Sequence, residues 1–274
     1  DKRLLMLRCG ITGSSGNLGK TFLKVNKKFY YIKFKGNISN KKQVYHWIKK
    51  NKFDILIHFA ALVPTLKVNS NYKKALNTNV NGTKYLVDAV IKYNKNTSWI
   101  FFSSTSHIYS FQKKKIKETF KSNPVSKYGK TKLAAENYFR KKLKKANINF
   151  CVGRIFSIFD NKAEGFFTPN LIKKFKSNRK NLVLENLNHY RDFLSTEQIS
   201  KIIFFLWKKK YVGTINIGSG EKTNLKSVAK IFADKFNKKI SFKYNKPTFH
   251  LADISKLNKL GYKQSKLNIG RFFK

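Results

Sequence analysis

The residues best suited to proton transfer are a tyrosine and a lysine four positions apart, Tyr128 and Lys132. On a helix this spacing places both side chains on one face. A cation so close to a phenol favours the phenolate, so we expect a lowered pKa for Tyr128 and a role as general acid and base. Thr105, in a hydroxyl-rich segment upstream, is suited to hydrogen-bond a substrate hydroxyl or carbonyl. A Ser/Thr-rich turn that caps itself is the alternative for that segment.

The lysine content of the chain weakens this spacing as a signal. Lysine accounts for 52 of 274 residues, and six of the 13 tyrosines have a lysine four positions further on. Context singles out Tyr128, because residues 126–136 have the pattern of a helix that begins after a buried strand. Spacing alone selects none of the six.

Three glycines, Gly13, Gly16 and Gly19, lie between a buried strand and a helix. Their missing side chains permit a tight turn and allow a pyrophosphate to approach the helix N-terminus. A plain tight turn is the alternative, but the position directly after the first strand favours a dinucleotide site.

The elements that must position these residues alternate between strand and helix. Continuous apolar runs predict buried strands, and the segments between them have helical periodicity. The predicted strands are 4–11, 29–34, 54–59, 99–103 and 148–155, and the predicted helices are a stretch ending at Lys28, then 41–50, 75–93 and 128–145. This order predicts an α/β fold, a doubly wound parallel sheet of the Rossmann type.

The rest of the chain predicts a small α+β C-terminal substrate cap. Its predicted strands are 182–185, 214–217 and 240–244, and its predicted helices are 169–177, 195–209, 225–236 and 254–260. We expect residues 1–155 to form the dinucleotide-binding domain, with 191–217 returning to it. Residues 156–190 and 218–274 form the expected cap.

The charge of the chain is extreme, with 59 basic and 13 acidic residues and a net charge of +46. Only seven of the basic residues are arginine, whereas proteins that read base edges rely on the planar guanidinium. The lysines are also spread along the chain. A solvated lysine surface is therefore favoured over nucleic-acid binding, and its field still attracts anionic ligands.

Other partner classes find little support in the sequence. Cys9 and Cys151 lie in separate apolar runs, and the five histidines are scattered, so neither disulfides nor a metal site are expected. His58 is interpreted as an ordered strand-end residue, and His107 as either a loop residue or a pocket group. The apolar runs are too short to span a bilayer and the start lacks a leader, which predicts a soluble cytoplasmic protein without a membrane partner.

In this chain order the glycine loop, the Thr105 segment and the Tyr128 and Lys132 pair resemble the extended short-chain dehydrogenase/reductase superfamily, in its nucleotide-sugar epimerase/dehydratase branch. The resemblance covers nearly the whole chain. It continues through five further segments, 54–61, 79–83, 154–156, 191–193 and 216–220.

The resemblance implies roles for individual residues. Tyr128 is the implied acid/base, Lys132 holds the nicotinamide ribose and tunes Tyr128, and Thr105 bonds the reacting hydroxyl. The residues implied to bind NAD or NADP are Gly13, Gly16, Asn17, Leu18, Gly19, Asn37, Ile38, Phe59, Ala60, Ala61, Asn79, Ser103, Tyr128 and Lys132. Those implied to bind the substrate are Thr105, Phe156 and Arg191, whose guanidinium suits a diphosphate.

Departures from the branch bear on the reaction. Its dehydratases carry Asp-Glu after the catalytic threonine, and because Ser106 and His107 stand there, 4,6-dehydration is not expected. The cap is also short for a 4-epimerase, which is compatible with a smaller pocket or with a reductase. The ribose-binding acid expected after the second strand is missing, with lysines in that region, so the choice between NAD and NADP stays open.

These features predict an NAD(P)-dependent nucleotide-sugar epimerase that transfers hydride at sugar C4. The alternative is an NAD(P)H-dependent nucleotide-sugar 4-ketoreductase that uses the same residues in one direction. A nonenzymatic polyanion-binding protein on a dinucleotide fold is the rival from another class, but such a protein does not need Thr105, Tyr128 and Lys132. A nucleotide sugar is the expected partner, and the resemblance suggests a homodimer.

Overall fold

The computed structural model describes residues 6–63, 65–160 and 166–269. Its strands are β1 (Leu7–Thr12), β2 (Phe29–Lys33), β3 (Ile55–His58), β4 (Trp99–Thr105), β5 (Phe150–Ile155), β6 (Ser157–Phe159), β7 (Asn181–Leu184), β8 (His189–Arg191), β9 (Phe193–Ser195), β10 (Gly213–Ile217), β11 (Thr223–Asn224), β12 (Lys239–Phe242) and β13 (Thr248–His250). Its helices are α1 (Asn17–Val25), α2 (Lys41–Lys50), α3 (Thr65–Ser70), α4 (Tyr72–Ala75), α5 (Gly82–Tyr93), α6 (Lys127–Lys145), α7 (Phe167–Phe175), α8 (Thr196–Lys208), α9 (Leu225–Lys235) and α10 (Ser255–Lys259).

Six parallel strands form the central sheet, in the order β10-β5-β4-β3-β1-β2. The chain moves from β1 outward to β2 and then crosses to β3 on the other side of β1, so the strand order reverses there. Ligands of doubly wound sheets bind at the carboxyl ends of the strands beside such a reversal. The predicted fold class is confirmed.

Helices cover both faces of this sheet through aromatic-rich cores. On one face Phe139 of α6 stacks on Phe102 of β4 with ring centroids 5.0 Å apart. On the other face Phe22 of α1 and Ile202 of α8 are buried against the strands. Each fully buried side chain of this size contributes about 1.5–3 kcal/mol relative to an exposed one. The packing on both faces therefore stabilises the sheet that carries the loops at its carboxyl edge.

Two differences from the predicted elements affect the site. The stretch 75–93, predicted as one helix, is divided by a π-helical turn at Leu76–Asn81 that separates α4 from α5. Strand β4 also extends two residues beyond its predicted end, and a 3-10 turn at Ser106–Ile108 follows it. Thr105 is consequently both the last residue of β4 and the N-cap of that turn.

The remaining strands form three small sheets, β11-β8-β13, β12-β7 and β6-β9. We refer to β11-β8-β13 as the cap sheet, and it carries Arg191 in β8. The return to the central sheet is made by α8 and by β10, which pairs with β5. Several strands here have only two or three residues and are too short to show a period in the sequence. The division into a dinucleotide domain and a substrate cap stays a prediction.

Candidate active site

A cavity of about 1050 Å³ lies at the carboxyl edge of the central sheet. It is lined by almost every residue that the sequence nominated: Gly13, Gly16, Asn17, Leu18, Gly19, Asn37, Ile38, Phe59, Ala60, Ala61, Ser103, Thr105, Tyr128, Lys132, Phe156 and Arg191. These residues come from the loops after β1, β2, β3 and β4, from the start of α6, and from the region beyond β5. One continuous space therefore joins the glycine loop to Arg191.

Asn79 is the exception, because it does not line the cavity, and its contact with the dinucleotide stays a prediction. It is buried in the π-helical turn, and its amide oxygen accepts a hydrogen bond from the Leu62 backbone at 2.6 Å. Its amide nitrogen donates to the Leu62 carbonyl at 3.3 Å and to the Thr131 hydroxyl at 2.9 Å. With these contacts Asn79 fixes the loop after β3 and helix α6 from behind the cavity.

The glycine loop packs tightly against the backbone of the loop after β3. Gly13 has a φ of +72°, and a Cβ there would lie 2.6 Å from the Ala60 backbone nitrogen. Gly16 is the N-cap of α1 and makes no side-chain cap. The first residues of α1, Asn17, Leu18 and Gly19, line the cavity, and an uncapped helix N-terminus with its dipole favours an anion such as a pyrophosphate there.

Tyr128 and Thr105 both line the cavity. Burial raises the pKa of Tyr128 above its ordinary value, and the Thr105 hydroxyl, which favours the ionised phenol, opposes this only in part. This direction is the opposite of the one expected from the sequence. Removal from water outweighs the favourable contact.

Lys132 is buried one helical turn further along α6. Its ammonium lies 4.2 Å from the centroid of the Phe102 ring. Burial lowers the pKa of Lys132 to about 7, and the charge of Glu136 partly opposes this. The lysine can thus gain or lose a proton near neutral pH, which suits a group that exchanges protons with a neighbouring hydroxyl.

Helix α6 begins where it does because Ser126 caps it by accepting a hydrogen bond from the Gly129 backbone at 3.0 Å. Gly129 packs directly on the turn after β4, since a Cβ there would lie 2.2 Å from the His107 carbonyl oxygen. Helical spacing then places Tyr128, Lys132 and Glu136 along one face.

The sequence reasoning missed the role of Glu136, a fully buried carboxylate. It accepts hydrogen bonds from the Ser104 hydroxyl at 2.6 Å and from the Arg154 guanidinium at 2.6 Å. Arg154 also donates to the Tyr109 hydroxyl at 2.6 Å, and Tyr109 donates to the Asn216 amide oxygen at 3.0 Å. This network joins α6 to β4, β5 and β10 one helical turn beyond Lys132. Its partners lie up to 107 residues apart, so no local pattern reveals them.

His107, left open by the sequence, is a pocket group. Its ring lines the cavity with its centroid 5.8 Å from that of Tyr128, and its Nδ1 lies 3.4 Å from the Ser126 hydroxyl. Burial, with a contribution from the Arg191 charge, lowers the pKa of His107 and favours the neutral imidazole. His58, by contrast, is buried behind the cavity, with one ring nitrogen 2.6 Å from the Thr12 hydroxyl and the other 3.0 Å from the Thr83 hydroxyl.

Arg191 reaches the cavity from the cap sheet. Its guanidinium donates to the Thr248 hydroxyl at 3.0 Å and lies 5.0 Å from the centroid of the Phe111 ring. The neighbouring Asp192 points the other way and is fully buried. Its carboxylate accepts from the Ser219 backbone and hydroxyl, the Gly220 backbone and the Ala252 backbone, at 2.6–3.1 Å. Arg191 thus lines the cavity, whereas Asp192 holds the segments around Ser219 and Ala252 in place.

The charges around the cavity favour anionic ligands. Its charged lining side chains, within the described part of the chain, are Lys35, Lys67, Lys132 and Arg191 against one carboxylate, Asp160. Across those same residues no cluster of His, Cys, Asp and Glu has a metal-binding arrangement. No described helix has the length and apolar character needed to cross a membrane.

The doubly wound sheet, the glycine loop and the Thr105, Tyr128 and Lys132 group are together typical of the extended short-chain dehydrogenases/reductases. The chain belongs to the family described as GDP-mannose 4,6 dehydratase, whose model matches residues 12–265. Its relatives comprise epimerases, dehydratases and reductases, and the chain is an enzyme of this family.

Individual relatives differ in their reactions. The GDP-6-deoxy-D-talose 4-dehydrogenase of Aggregatibacter actinomycetemcomitans is 27% identical over 220 residues, 77% of this chain and 74% of the relative. The putative UDP-glucose 4-epimerase of Methanocaldococcus jannaschii is 25% identical over 222 residues, 77% of this chain and 72% of the relative.

Solved structures with the same fold also differ in their ligands. RMD from Pseudomonas aeruginosa, complexed with NADPH, superposes with a TM-score of 0.86 at 17% identity, covering 97% of this chain and 95% of that one. UDP-glucose 4-epimerase from Thermus thermophilus, complexed with NAD, gives 0.82 at 16% identity, covering 96% of each chain. At these identities the structures establish the fold.

Proposed function

We propose that this enzyme is an NAD(P)-dependent nucleotide-sugar epimerase that acts at C4 of the sugar. The observation that carries the proposal is the convergence of Thr105, Tyr128 and Lys132 in a cavity that also contains the glycine loop and Arg191. Its volume of about 1050 Å³ is at or beyond the upper end of the roughly 300–1,000 Å³ typical of one small-molecule site. That size supports a dinucleotide and a nucleotide sugar in one cavity.

The residues present fit NAD or NADP. The N–H groups at the start of α1 would hold the pyrophosphate, Asn37 and Ile38 would lie beside the adenosine end, and Lys132 would hold the nicotinamide ribose. When bound, the dinucleotide would accept and return hydride. The lining of the cavity is compatible with either cofactor, because Lys35 and Asn37 stand where an acid would select NAD.

The chain's own part in the reaction is proton transfer and orientation. Tyr128 would pass its own phenolic proton to the neutral amine of Lys132 and then take the proton of the sugar hydroxyl at its phenolic oxygen, while Thr105 would hold that hydroxyl in place. Lys132, with a pKa of about 7, would stabilise the phenolate as it forms. Neutral His107, beside Tyr128, would hydrogen-bond another sugar hydroxyl. Arg191 would bind the diphosphate.

Ser106 and His107, the residues after Thr105, favour a reaction at C4 without dehydration. Ser106 is buried and His107 carries no carboxyl group, so the acidic pair of the dehydratases has no counterpart there. The two relatives named above both act at position 4 according to their names. The second candidate, an NAD(P)H-dependent 4-ketoreductase, is favoured by the dehydrogenase relative and by the NADPH-bound structural neighbour.

A panel of UDP-, dTDP- and GDP-sugars and their 4-keto derivatives tests the proposal. We expect one of them to be turned over, and an epimerase to reach equilibrium between two C4 epimers without net consumption of NAD(P)H. Stoichiometric oxidation of NAD(P)H with a 4-keto sugar would establish the reductase instead. Absence of turnover with every member, together with strongly salt-dependent polynucleotide binding, would favour the nonenzymatic rival. The homodimer is a separate proposal, tested by the mass of the protein in solution.

A further inference from the structure

The turn Ser106–Ile108 determines where two pocket side chains lie. Thr105 begins it by accepting a hydrogen bond from the His107 backbone at 3.2 Å, and the Tyr109 backbone closes it on the Ser106 carbonyl at 2.9 Å. A turn with so few internal bonds is short and intrinsically weak. Its position must therefore be fixed by what packs against it.

One side of this turn is fixed by helix α6. The close approach of Gly129 to the His107 carbonyl leaves no room for movement in that direction. The other side is fixed from the cap sheet. His250, in β13, is 4% exposed, and its Nε2 lies 3.0 Å from the Ser106 carbonyl oxygen, 144 positions away in sequence.

The acceptor in this contact determines the protonation of the ring. A carbonyl only accepts hydrogen bonds, so His250 must carry its proton on Nε2 and donate. Burial lowers the pKa of His250 to about 3, so the ring stays neutral over the working pH range. The Phe111 and Phe156 rings enclose it, with centroids 5.3 and 5.5 Å from its own. His250 is thus a fixed, neutral donor.

His250 also belongs to the element that carries Arg191. The two residues are register partners in the parallel pair β8 and β13. The loop after the turn runs along the same segment, with the Gln112 backbone donating to the Phe249 carbonyl and the Ile116 backbone donating to the Leu251 carbonyl. The cap sheet consequently reaches the cavity through Arg191 and contacts the Ser106–Ile108 turn through His250.

We propose that His250 is a positioning residue, which couples the cap sheet to the Ser106–Ile108 turn and so keeps Thr105 and His107 in place beside Tyr128. It acts through the Ser106 carbonyl and touches no substrate. Its kinetic consequence rests on the proposed function, whereas its structural consequence does not. A displacement of about 1 Å in a catalytic group lowers the reaction rate on the order of 100-fold. We expect a loss of up to this size if the turn moves.

Three substitutions at this position separate the hydrogen bond from the volume of the side chain. His250→Gln retains an N–H donor at nearly the position of Nε2, His250→Asn has an amide too short to reach the carbonyl, and His250→Leu fills the space without a donor. His46→Leu is the matched control, because His46 lies on α2, away from the cavity. Circular dichroism and thermal melting establish that each variant is folded.

Amide hydrogen exchange of a peptide spanning 103–111 is the readout that needs no substrate. We expect exchange at His107 and Tyr109 to be about tenfold faster in His250→Asn and His250→Leu, and close to wild type in His250→Gln and His46→Leu. With the substrate from the panel, kcat should fall about 10- to 100-fold in the first two while KM changes less than about threefold.

Unchanged exchange in His250→Asn and His250→Leu would overturn the proposal, and so would a His250→Gln variant as impaired as they are. If His250→Leu fails to fold, the comparison of Asn with Gln decides alone. If the wild-type enzyme turns over no nucleotide sugar, the proposed function fails and the exchange measurement still decides the role of His250.

Discussion

The two sides of the cavity are built in different ways. On the sheet side, Tyr128, Lys132 and Glu136 follow one another along a single helix, and Gly13, Gly16 and Gly19 lie within seven residues at the turn from β1 into α1. On the cap side, Asp192 binds residues 27, 28 and 60 positions away, and His250 binds one 144 positions away. The residues proposed for proton transfer on the sheet side thus follow local spacing, whereas the cap side depends on long-range contacts, as does the Glu136 network that supports the sheet side. Under the proposed function, chemistry belongs to the sheet side and the choice of substrate to the cap side.

Loss of the phenol on the sheet side has the largest expected effect. Tyr128→Phe should lower kcat about 10²- to 10⁴-fold, the usual contribution of a general acid/base, with stability retained. Tyr138→Phe is the matched control, because Tyr138 lies on the same helix, also precedes a lysine by four positions, and donates to Asp88 outside the cavity. Steady-state kinetics decide the matter, and a Tyr128→Phe enzyme with kcat within about threefold of wild type would remove Tyr128 from the mechanism.

On the cap side, Arg191→Met should impair substrate binding and leave the dinucleotide unaffected. A charge-assisted hydrogen bond contributes about 1.5–3 kcal/mol, so KM should rise about 10- to 150-fold. Arg191→Lys should be intermediate, because it keeps the charge and loses the planar fork. Titration with NADH and NADPH provides the control. An equal loss of affinity for the substrate and for the dinucleotide would show that the two sides of the cavity do not bind different ligands.

Acid should destabilise both sides through their buried histidines. The folded-state pKa values of His58 on the sheet side and His250 on the cap side are both about 3, held down mainly by burial. Between that value and about 6.5 the unfolded chain binds these protons and the folded chain does not, so stability falls as pH falls below about 6.5. Each histidine contributes about 1.4 kcal/mol per pH unit.

Urea denaturation between pH 7 and 5 measures this dependence. His58→Gln and His250→Gln should each reduce the slope by about one proton, and the double variant by about two. A slope that neither substitution changes would mean that these rings titrate normally in the folded protein.

The smallest expected effect is at Lys35, an exposed side chain at the rim of the sheet side. An exposed ion pair contributes about 0.2–1 kcal/mol, so Lys35→Ala should weaken NADPH binding by at most about fivefold and NADH binding less. High salt should reduce the difference. Equal affinities of the variant and wild type for NADPH at low salt would exclude a contact between Lys35 and the 2′-phosphate.

What the sequence could predict depends on how far apart in sequence the contacting residues lie. Helix α2 was predicted at its observed bounds, and the glycine loop and the Tyr128 region were located from local pattern. The roles of Glu136, Asp192 and His250 could not be predicted, because a buried polar residue is recognisable only when its partner is known, and those partners are distant in sequence.

Burial is the other quantity that local spacing does not convey. The pKa of Tyr128 was expected in the wrong direction, since helix spacing indicates proximity to Lys132 but not the extent of burial. Likewise, spacing could not show that the Asn79 amide is occupied by Leu62 and Thr131.

The central claim is that a dinucleotide on the sheet side exchanges hydride with a sugar on the cap side. The direct measurement uses reduced NAD or NADP that carries deuterium at C4 of the nicotinamide ring, in the position that is transferred. The enzyme is given this dinucleotide together with a nucleotide 4-keto sugar, and NMR locates the label. We expect deuterium at C4 of the sugar, for an epimerase and a reductase alike, and none with Tyr128→Phe on the same timescale. A product reduced at C4 without label, or a cavity that binds neither dinucleotide, would contradict the account.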